Sequence, residues 1–161
     1  MTLTVPIPGR TRLELEHLML DVNGTLTNRG KLLDGITARI SELQPRLAIL
    51  LVSADTFGTL DELARVIGVR GVRARSGADK LRLLDSLGRQ RCAVIGNGAN
   101  DVLVLEAAAL GIAVLGPEGA SSAALRAADV VCPSAADALS LLLDPKALSA
   151  TLRALPINNE P

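Results

Sequence analysis

The stretch Leu18-Met19-Leu20-Asp21-Val22-Asn23-Gly24-Thr25-Leu26-Thr27 decides the fold. Three large apolar residues run into a carboxylate, and a glycine follows. An unbroken apolar run of this length reads as a strand buried on both faces. A carboxylate ending such a strand is costly to bury unless it is paired, hydrogen-bonded or metal-bound. Gly24 lets the backbone turn sharply and approach a ligand. Taken alone, Asp21 reads equally well as a turn former at a strand end.

Upstream, Leu3 to Ile7 is apolar and stops at Pro8-Gly9, a turn signal. Thr11 to Glu16 then alternates, with Leu13 and Leu15 on one face, which predicts an edge hairpin feeding the strand at Leu18–Val22. Downstream, Asn28-Arg29-Gly30 signals a hairpin flap, and Ile36, Ile40 and Leu43 have helical spacing with Pro45 as a stop. Strand-like runs at 47–52, 69–72, 92–95, 112–115 and 130–132 alternate with helical patterns. Two helices carry capping-box signatures, Thr59/Glu62 and Ser76/Asp79. Helices at 135–143 and 146–155 close the pattern, so residues 1–155 read as one domain and 156–161 as a frayed tail.

Strands alternating with helices imply right-handed crossovers, a parallel central sheet and a three-layer α/β fold. Ligands of such sheets bind outside the carboxyl ends of the strands. The residues just after each apolar run are therefore the ones to search.

Composition excludes several functions. The 17 Lys and Arg balance the 17 Asp and Glu, so no net field draws the chain to nucleic acid or anionic lipid. Phe57 is the only aromatic residue, too little for a base-stacking platform. Cys92 and Cys132 sit in apolar runs and read as small buried hydrophobes of a reducing compartment, with a disulfide or metal pair as the alternative. No secretory leader and no run of transmembrane length is seen, which predicts a cytoplasmic location without a membrane partner. His17, the only histidine, reads as structural.

Four strand ends carry suitable chemistry. Asp21 follows the first core run, and Ser53, able to bond a phosphate oxygen, follows the second. Lys80 falls in the first turn of a helix, where the macrodipole disfavours a cation, so a compensating anion is expected. Gly96-Asn97-Gly98-Ala99-Asn100-Asp101 follows the strand at 92–95, with Asn100 placed to cap the next helix. Its Asp and Asn oxygens suit Mg²⁺. Carboxylate nucleophiles form aspartyl-phosphates. Phosphoryl transfer needs in-line positioning, a metal and a cation on the equatorial oxygens.

This ordered set resembles the haloacid-dehalogenase (HAD) superfamily, with its four motifs at Asp21–Thr27, Ser53, Lys80 and Gly96–Asp101, from about Leu18 to Cys132. The nucleophile motif ends Gly24-Thr25-Leu26-Thr27, as in the phosphorylation domain of P-type ATPases. Gly111-Ile112-Ala113 and Ala127-Ala128-Asp129 look similar too. The chain as a whole resembles the superfamily's soluble P-type-ATPase-like proteins. The resemblance implies a Rossmann-like fold and a Mg²⁺-dependent hydrolase or phosphotransferase. Asp21 would attack phosphorus, and Gly24, Thr25, Ser53, Ala54 and Lys80 would surround the phosphoryl group. Asp21, the Asn23 carbonyl, Asn97 and Asp101 would hold the metal. The short segments after Thr27 and after Ser53 leave no room for a cap domain.

Two departures bear on function. HAD phosphatases usually carry Asp where Asn23 stands, as general acid/base, a contribution of roughly 10²–10⁴-fold. P-type ATPases carry Thr there. Asn97 replaces the first acid of the fourth motif, which should weaken Mg²⁺ binding. The expected function is a slow phosphohydrolase or phosphotransferase acting on a phosphorylated small molecule or phosphoprotein. The alternative is a phosphate- or Mg²⁺-responsive binding or regulatory domain without turnover. With no cap over the strand ends, a homo-oligomer covering them is also expected.

Overall fold

A computed structural model describes residues 1–153. Its centre is a six-stranded, all-parallel sheet in the order β10-β9-β8-β3-β6-β7. These strands are β3 (His17–Asp21), β6 (Ala48–Ser53), β7 (Arg70–Arg73), β8 (Cys92–Gly96), β9 (Leu110–Val114) and β10 (Val130–Cys132). From β3 the chain moves outward to β6 and β7, then returns to β8 on the other side of β3. The order therefore reverses between β3 and β8, and Asp21 ends the strand at that switch point.

Alternation along each strand loads both faces. Leu18, Leu20, Leu51 and Ile95 join one buried cluster with Ile36, Ile40 and Leu43 of α1 (Ile36–Leu43), Leu60 and Ile67 of α2 (Leu60–Ile67), Leu139 of α6 (Ala135–Leu143) and Leu148 of α7 (Pro145–Leu152). Met19, Leu50, Val52 and Val94 face the other way, onto α3 (Gly77–Leu87), α4 (Val102–Ala107) and α5 (Ser122–Ala127). This is the three-layer arrangement expected from the alternation. The helix expected over 146–155 ends at Leu152, and Leu155 and the 156–161 tail lie outside the described residues.

The N-terminal hairpin, β1 (Leu3–Val5) and β2 (Leu13–Leu15), forms, but not at an edge of the central sheet. It is a separate two-stranded sheet, and the edges belong to β10 and β7. The reason lies at Glu16: its N–H donates to the Arg91 carbonyl at 2.8 Å and its carbonyl accepts from Ala48 at 2.8 Å. The chain thus enters the sheet at its middle, and the hairpin projects below it. A second small hairpin, β4 (Thr27–Asn28) and β5 (Lys31–Leu32), is the expected flap, turned by Arg29 and Gly30 at φ 49° and 83°. Positive φ at both central residues is the hairpin turn that matches strand twist. Among the described residues no further domain is inserted after the flap or after β6.

The Ser76/Asp79 capping box is present, each partner bonding the other's backbone N–H at 3.0–3.1 Å. The Thr59/Glu62 box is not. The Thr59 side chain makes no cap bond, and Asp55 Oδ1 instead accepts the Leu60 N–H at 2.9 Å. Cys92 and Cys132 are both free and buried, as read from sequence, and burial raises both thiols, Cys92 to about 11.

Gly111 and Asp129 have a structural job at the start of β9. They exchange two bonds, Gly111 N–H to Asp129 Oδ2 and Asp129 N–H to the Gly111 carbonyl, each 2.8 Å. A Cβ on Gly111 would lie 2.2 Å from the Leu105 carbonyl oxygen, which belongs to the backbone of α4. Gly111→Ala should therefore lower unfolding stability by about 1–3 kcal/mol or more, the usual cost of overpacking. Urea unfolding of the variant beside wild type measures this.

Candidate active site

Six polar or charged side chains are buried among the described residues: Asp21, Thr25, Thr27, Ser53, Lys80 and Asp101. All but Thr27, which donates to the Val22 carbonyl at 3.2 Å, belong to the strand-end set. Lys80 is 1% exposed although it stands in the first turn of α3. The broken helix rule has its compensation: Nζ lies 2.7 Å from Asp21 Oδ1 and 2.6 Å from Asp101 Oδ1. One ammonium thus joins the end of β3 to the loop after β8.

The remaining oxygens are also engaged. Thr25 Oγ1 lies 2.9 Å from Asp21 Oδ2 and 3.1 Å from Asn97 Oδ1. Its single proton can serve one of them at a time. Asp101 Oδ2 accepts the backbone N–H groups of Asn97 at 3.1 Å and Gly98 at 2.9 Å. Gly96 makes this possible, because a Cβ there would lie 2.5 Å from Asp101 Cγ. Ser53 Oγ accepts the Asp55 N–H at 2.9 Å and faces Asn23 Nδ2 at 3.5 Å, which leaves its own proton to donate.

The loop after Asp21 coils around one carbonyl. Val22 O accepts the N–H groups of Thr25, Leu26 and Thr27 at 2.9–3.2 Å, and Gly24 N–H donates to Thr27 O at 3.1 Å. The Gly24 and Thr25 N–H groups are committed inside the loop, and Thr25 turns its hydroxyl to Asp21. Ala54 is exposed beside Ser53. Asn100 is exposed and is not the cap. Gly98 begins the turn at Ala99–Asp101, and Asp101 binds back to it. His17 is half-buried at the far end of β3, its Nδ1 without a partner.

The electrostatics follow from two anions sharing one cation. Burial, and then the charge of Asp101, push the Asp21 carboxyl up to about 6, against the pull of Lys80 and Thr25. Burial acts to lower Lys80, but Asp21 and Asp101 outweigh it and hold the ammonium above its ordinary range. The Asp21 carboxylate is therefore poorly neutralised, which suits a nucleophile.

Two residues escaped the sequence reading. Asp55, at φ 59°, caps α2 and pairs with Arg73 at 3.1 Å on the rim of the Ser53 loop. Glu118, in the loop after β9, accepts the Arg29 N–H of the flap at 2.8 Å. Searching the end of every strand, β9 included, is the signal that leads to it.

The oxygen donors suit a hard cation in kind. Asn97 Nδ2 donates to Gly119 O at 2.9 Å, which turns Oδ1 toward Thr25 and the nucleophile. Thr25 Oγ1 thus links Asp21 Oδ2 to Asn97 Oδ1, which brings these two oxygens to one place. Asp101, expected among the ligands, has both oxygens committed to Lys80 and the loop. Among the described residues no three His, Cys, Asp or Glu side chains gather as a metal cluster.

No family model matches the chain. It is 44% identical over 78 residues to the uncharacterized protein MJ0073 of Methanocaldococcus jannaschii, covering 46% of this chain and 84% of that one, and it belongs to one family with that protein. Solved structures identify the fold. A putative HAD family hydrolase from Streptomyces avermitilis superposes with TM-score 0.67 at 18% identity, over 92% of this chain and 91% of that one. The 3-deoxy-D-manno-octulosonate 8-phosphate phosphatase of Moraxella catarrhalis, solved with magnesium, phosphate and its sugar, gives 0.64 at 18% over 86% and 94%. The catalytic domain of the CPx-ATPase CopB-B gives 0.60 at 21% over 69% of this chain and 46% of that one. The fold is the HAD fold, shared with hydrolases and with a P-type ATPase domain.

Removing either side of the Lys80 triad should have opposite effects. Lys80→Met leaves two buried carboxylates unpaired and should cost about 3–5 kcal/mol. Asp21→Asn leaves Lys80 with one partner and should not destabilise. The Asp21 carboxyl titrates higher in the folded protein than its ordinary 3.8, so ionising it costs stability as pH rises toward about 6. Asp21→Asn should therefore raise the melting temperature at pH 7.5, with the gain vanishing toward pH 4. Thermal unfolding across that range tests the sign.

Proposed function

We propose that the protein is a Mg²⁺-dependent phosphohydrolase or phosphotransferase working through an aspartyl-phosphate on Asp21. The observation that carries this is the 2.7 Å contact of buried Lys80 with Asp21 at the carboxyl end of β3. An Asp21 oxygen attacks phosphorus, the bond to the leaving group breaks, and that group departs with the electron pair. Lys80 and the Ser53 hydroxyl hold the equatorial oxygens, where charge develops. Asp21, the Asn23 carbonyl and Asn97 Oδ1 would hold Mg²⁺, with Asp101 fixing Lys80 and the loop. When bound, the metal neutralises negative charge on the phosphoryl oxygens.

Breakdown of the phosphoenzyme requires a water to lose a proton. Asn23 cannot take it, so the intermediate should outlive that of an enzyme with a carboxylate there. Asn23 and Asn97 also favour a second reading, a phosphate- or Mg²⁺-responsive regulatory domain that does not turn over. Substrates would be phosphorylated small molecules or phosphoproteins. The two buried free cysteines fit a cytoplasmic setting. A second copy of the chain would cover the open strand ends, and sedimentation as a monomer at micromolar concentration would remove that part of the proposal.

Acetyl phosphate with Mg²⁺ should label the protein covalently at Asp21 alone, and Asp21→Asn should abolish the adduct. Labelling should fade as pH falls, because protonation of the Asp21 carboxyl removes the nucleophile. Mass spectrometry showing no Mg²⁺-dependent adduct at Asp21 from any activated donor would leave the regulatory reading. A companion expectation concerns turnover: Asn23→Asp should speed decay of the adduct by roughly 10- to 100-fold, the scale of general-base help. An unchanged half-life would show that Asn23 is not what limits breakdown.

A further inference from the structure

The tip of the flap is held by one polar contact: Arg29 N–H donates to Glu118 Oε1 at 2.8 Å, while the exposed Phe57 ring stands near Gly30, 3.9 Å from where a Cβ there would lie. Phe57 belongs to the loop after β6 and Glu118 to the loop after β9. The flap follows β3 directly in the chain and is tied by its tip to the loop after β9.

The Glu118 loop also rests on the nucleophile loop. A Cβ on Gly24 would lie 3.0 Å from Glu118 Oε2 and 2.7 Å from Asn97 Nδ2, and a Cβ on Gly116 would lie 2.5 Å from Gly24 O. The two glycines stand at φ 75° and 56°, which side chains rarely adopt. Asn97 secures the same loop from within, through Nδ2 to Gly119 O at 2.9 Å and its carbonyl to Ser121 N–H at 2.8 Å. Glu118 is exposed and joins no ion pair among the described residues. Its polar contact is with the flap, 89 residues away in sequence.

We propose that Glu118 is a positioning residue that latches the flap over the Asn23–Gly24 turn and so holds the phosphate-accepting pocket closed around Asp21. The inference rests on the reading of Asp21 as phosphoacceptor. Glu118 acts through the backbone of the flap and the nucleophile loop, and what matters is its oxygen as a hydrogen-bond acceptor. Glutamine keeps that acceptor, and alanine removes it.

The test uses the full chain with Mg²⁺ and acetyl phosphate, reading both hydrogen exchange of the Arg29 amide and the concentration dependence of labelling at Asp21. Glu118→Ala should speed Arg29 exchange about tenfold, the scale of one lost hydrogen bond. It should raise the acetyl phosphate concentration for half-maximal labelling by a similar factor and leave the saturating yield unchanged. Glu118→Gln should stay within about twofold of wild type on both measures, on the same scale. The latch is overturned if Glu118→Ala matches wild type in exchange and labelling. It is equally overturned if Glu118→Gln is as impaired as Glu118→Ala, since charge rather than the bond would then be at work. If wild type never labels, the phosphoacceptor reading falls, and Arg29 exchange still decides whether Glu118 holds the flap.

Discussion

The site depends on one ammonium shared by two buried carboxylates. Lys80 reaches from the first turn of α3 to Asp21 on one side and Asp101 on the other. Each contact alone is an ordinary ion pair. Together they leave a net charge of minus one in a region nearly closed to water, and the residue that bears the imbalance is Asp21. Desolvation and the second anion oppose its ionisation, while Lys80 and Thr25 favour it. A buried charge retained against that balance is evidence of use, since well-packed apolar residues would hold the fold at least as well.

The parallel sheet makes this sharing possible. Asp21 ends β3, the strand at which the order reverses, so the loops after β6, β8 and β9 all open toward the same end of the sheet. Each supplies a different element: a hydroxyl from Ser53, a carboxylate from Asp101, an acceptor for the flap from Glu118. The side chains that matter stand on strand ends and a helix first turn rather than on long excursions. Short inserts have the opposite consequence at the mouth, where among the described residues the insert after β3 amounts to the two-stranded flap.

Legibility in sequence followed the range of the interaction. Buried strands, helix periodicity and the flap turn are local signals, and they led to the right sheet and layers. Lys80 was legible because it breaks a local rule, a cation at a helix start, and its compensation lay 59 residues away in Asp21. The failures were long-range or competitive. Thr59 lost its cap to Asp55, whose carboxylate reaches Leu60 N–H from outside the helix. Asn100 lost the cap to a turn closed by Asp101. The hairpin's place beneath the sheet depended on Glu16 bonding both neighbouring chains, which no window of residues reveals. Glu118 looked like any loop acid because its partner, the Arg29 N–H, is a backbone group without a sequence signature.

The two asparagines change the site's electrostatics in one direction. An acid at position 23, as HAD phosphatases usually carry, and another at position 97 would add two negative charges beside Asp21 and Asp101. One Lys80 ammonium would then face four carboxylates instead of two. With Asn23 and Asn97 the excess over lysine is a single negative charge, and the amides hold the loops together instead: Nδ2 of Asn97 ties the β9 loop, and Asn23 faces Ser53. On the proposed reading of Asp21 as phosphoacceptor, the two amides keep the loops in place while supplying neither a proton-transfer group nor an added negative charge. The proposed long-lived phosphoenzyme follows from that exchange, because an amide cannot take the proton of an attacking water.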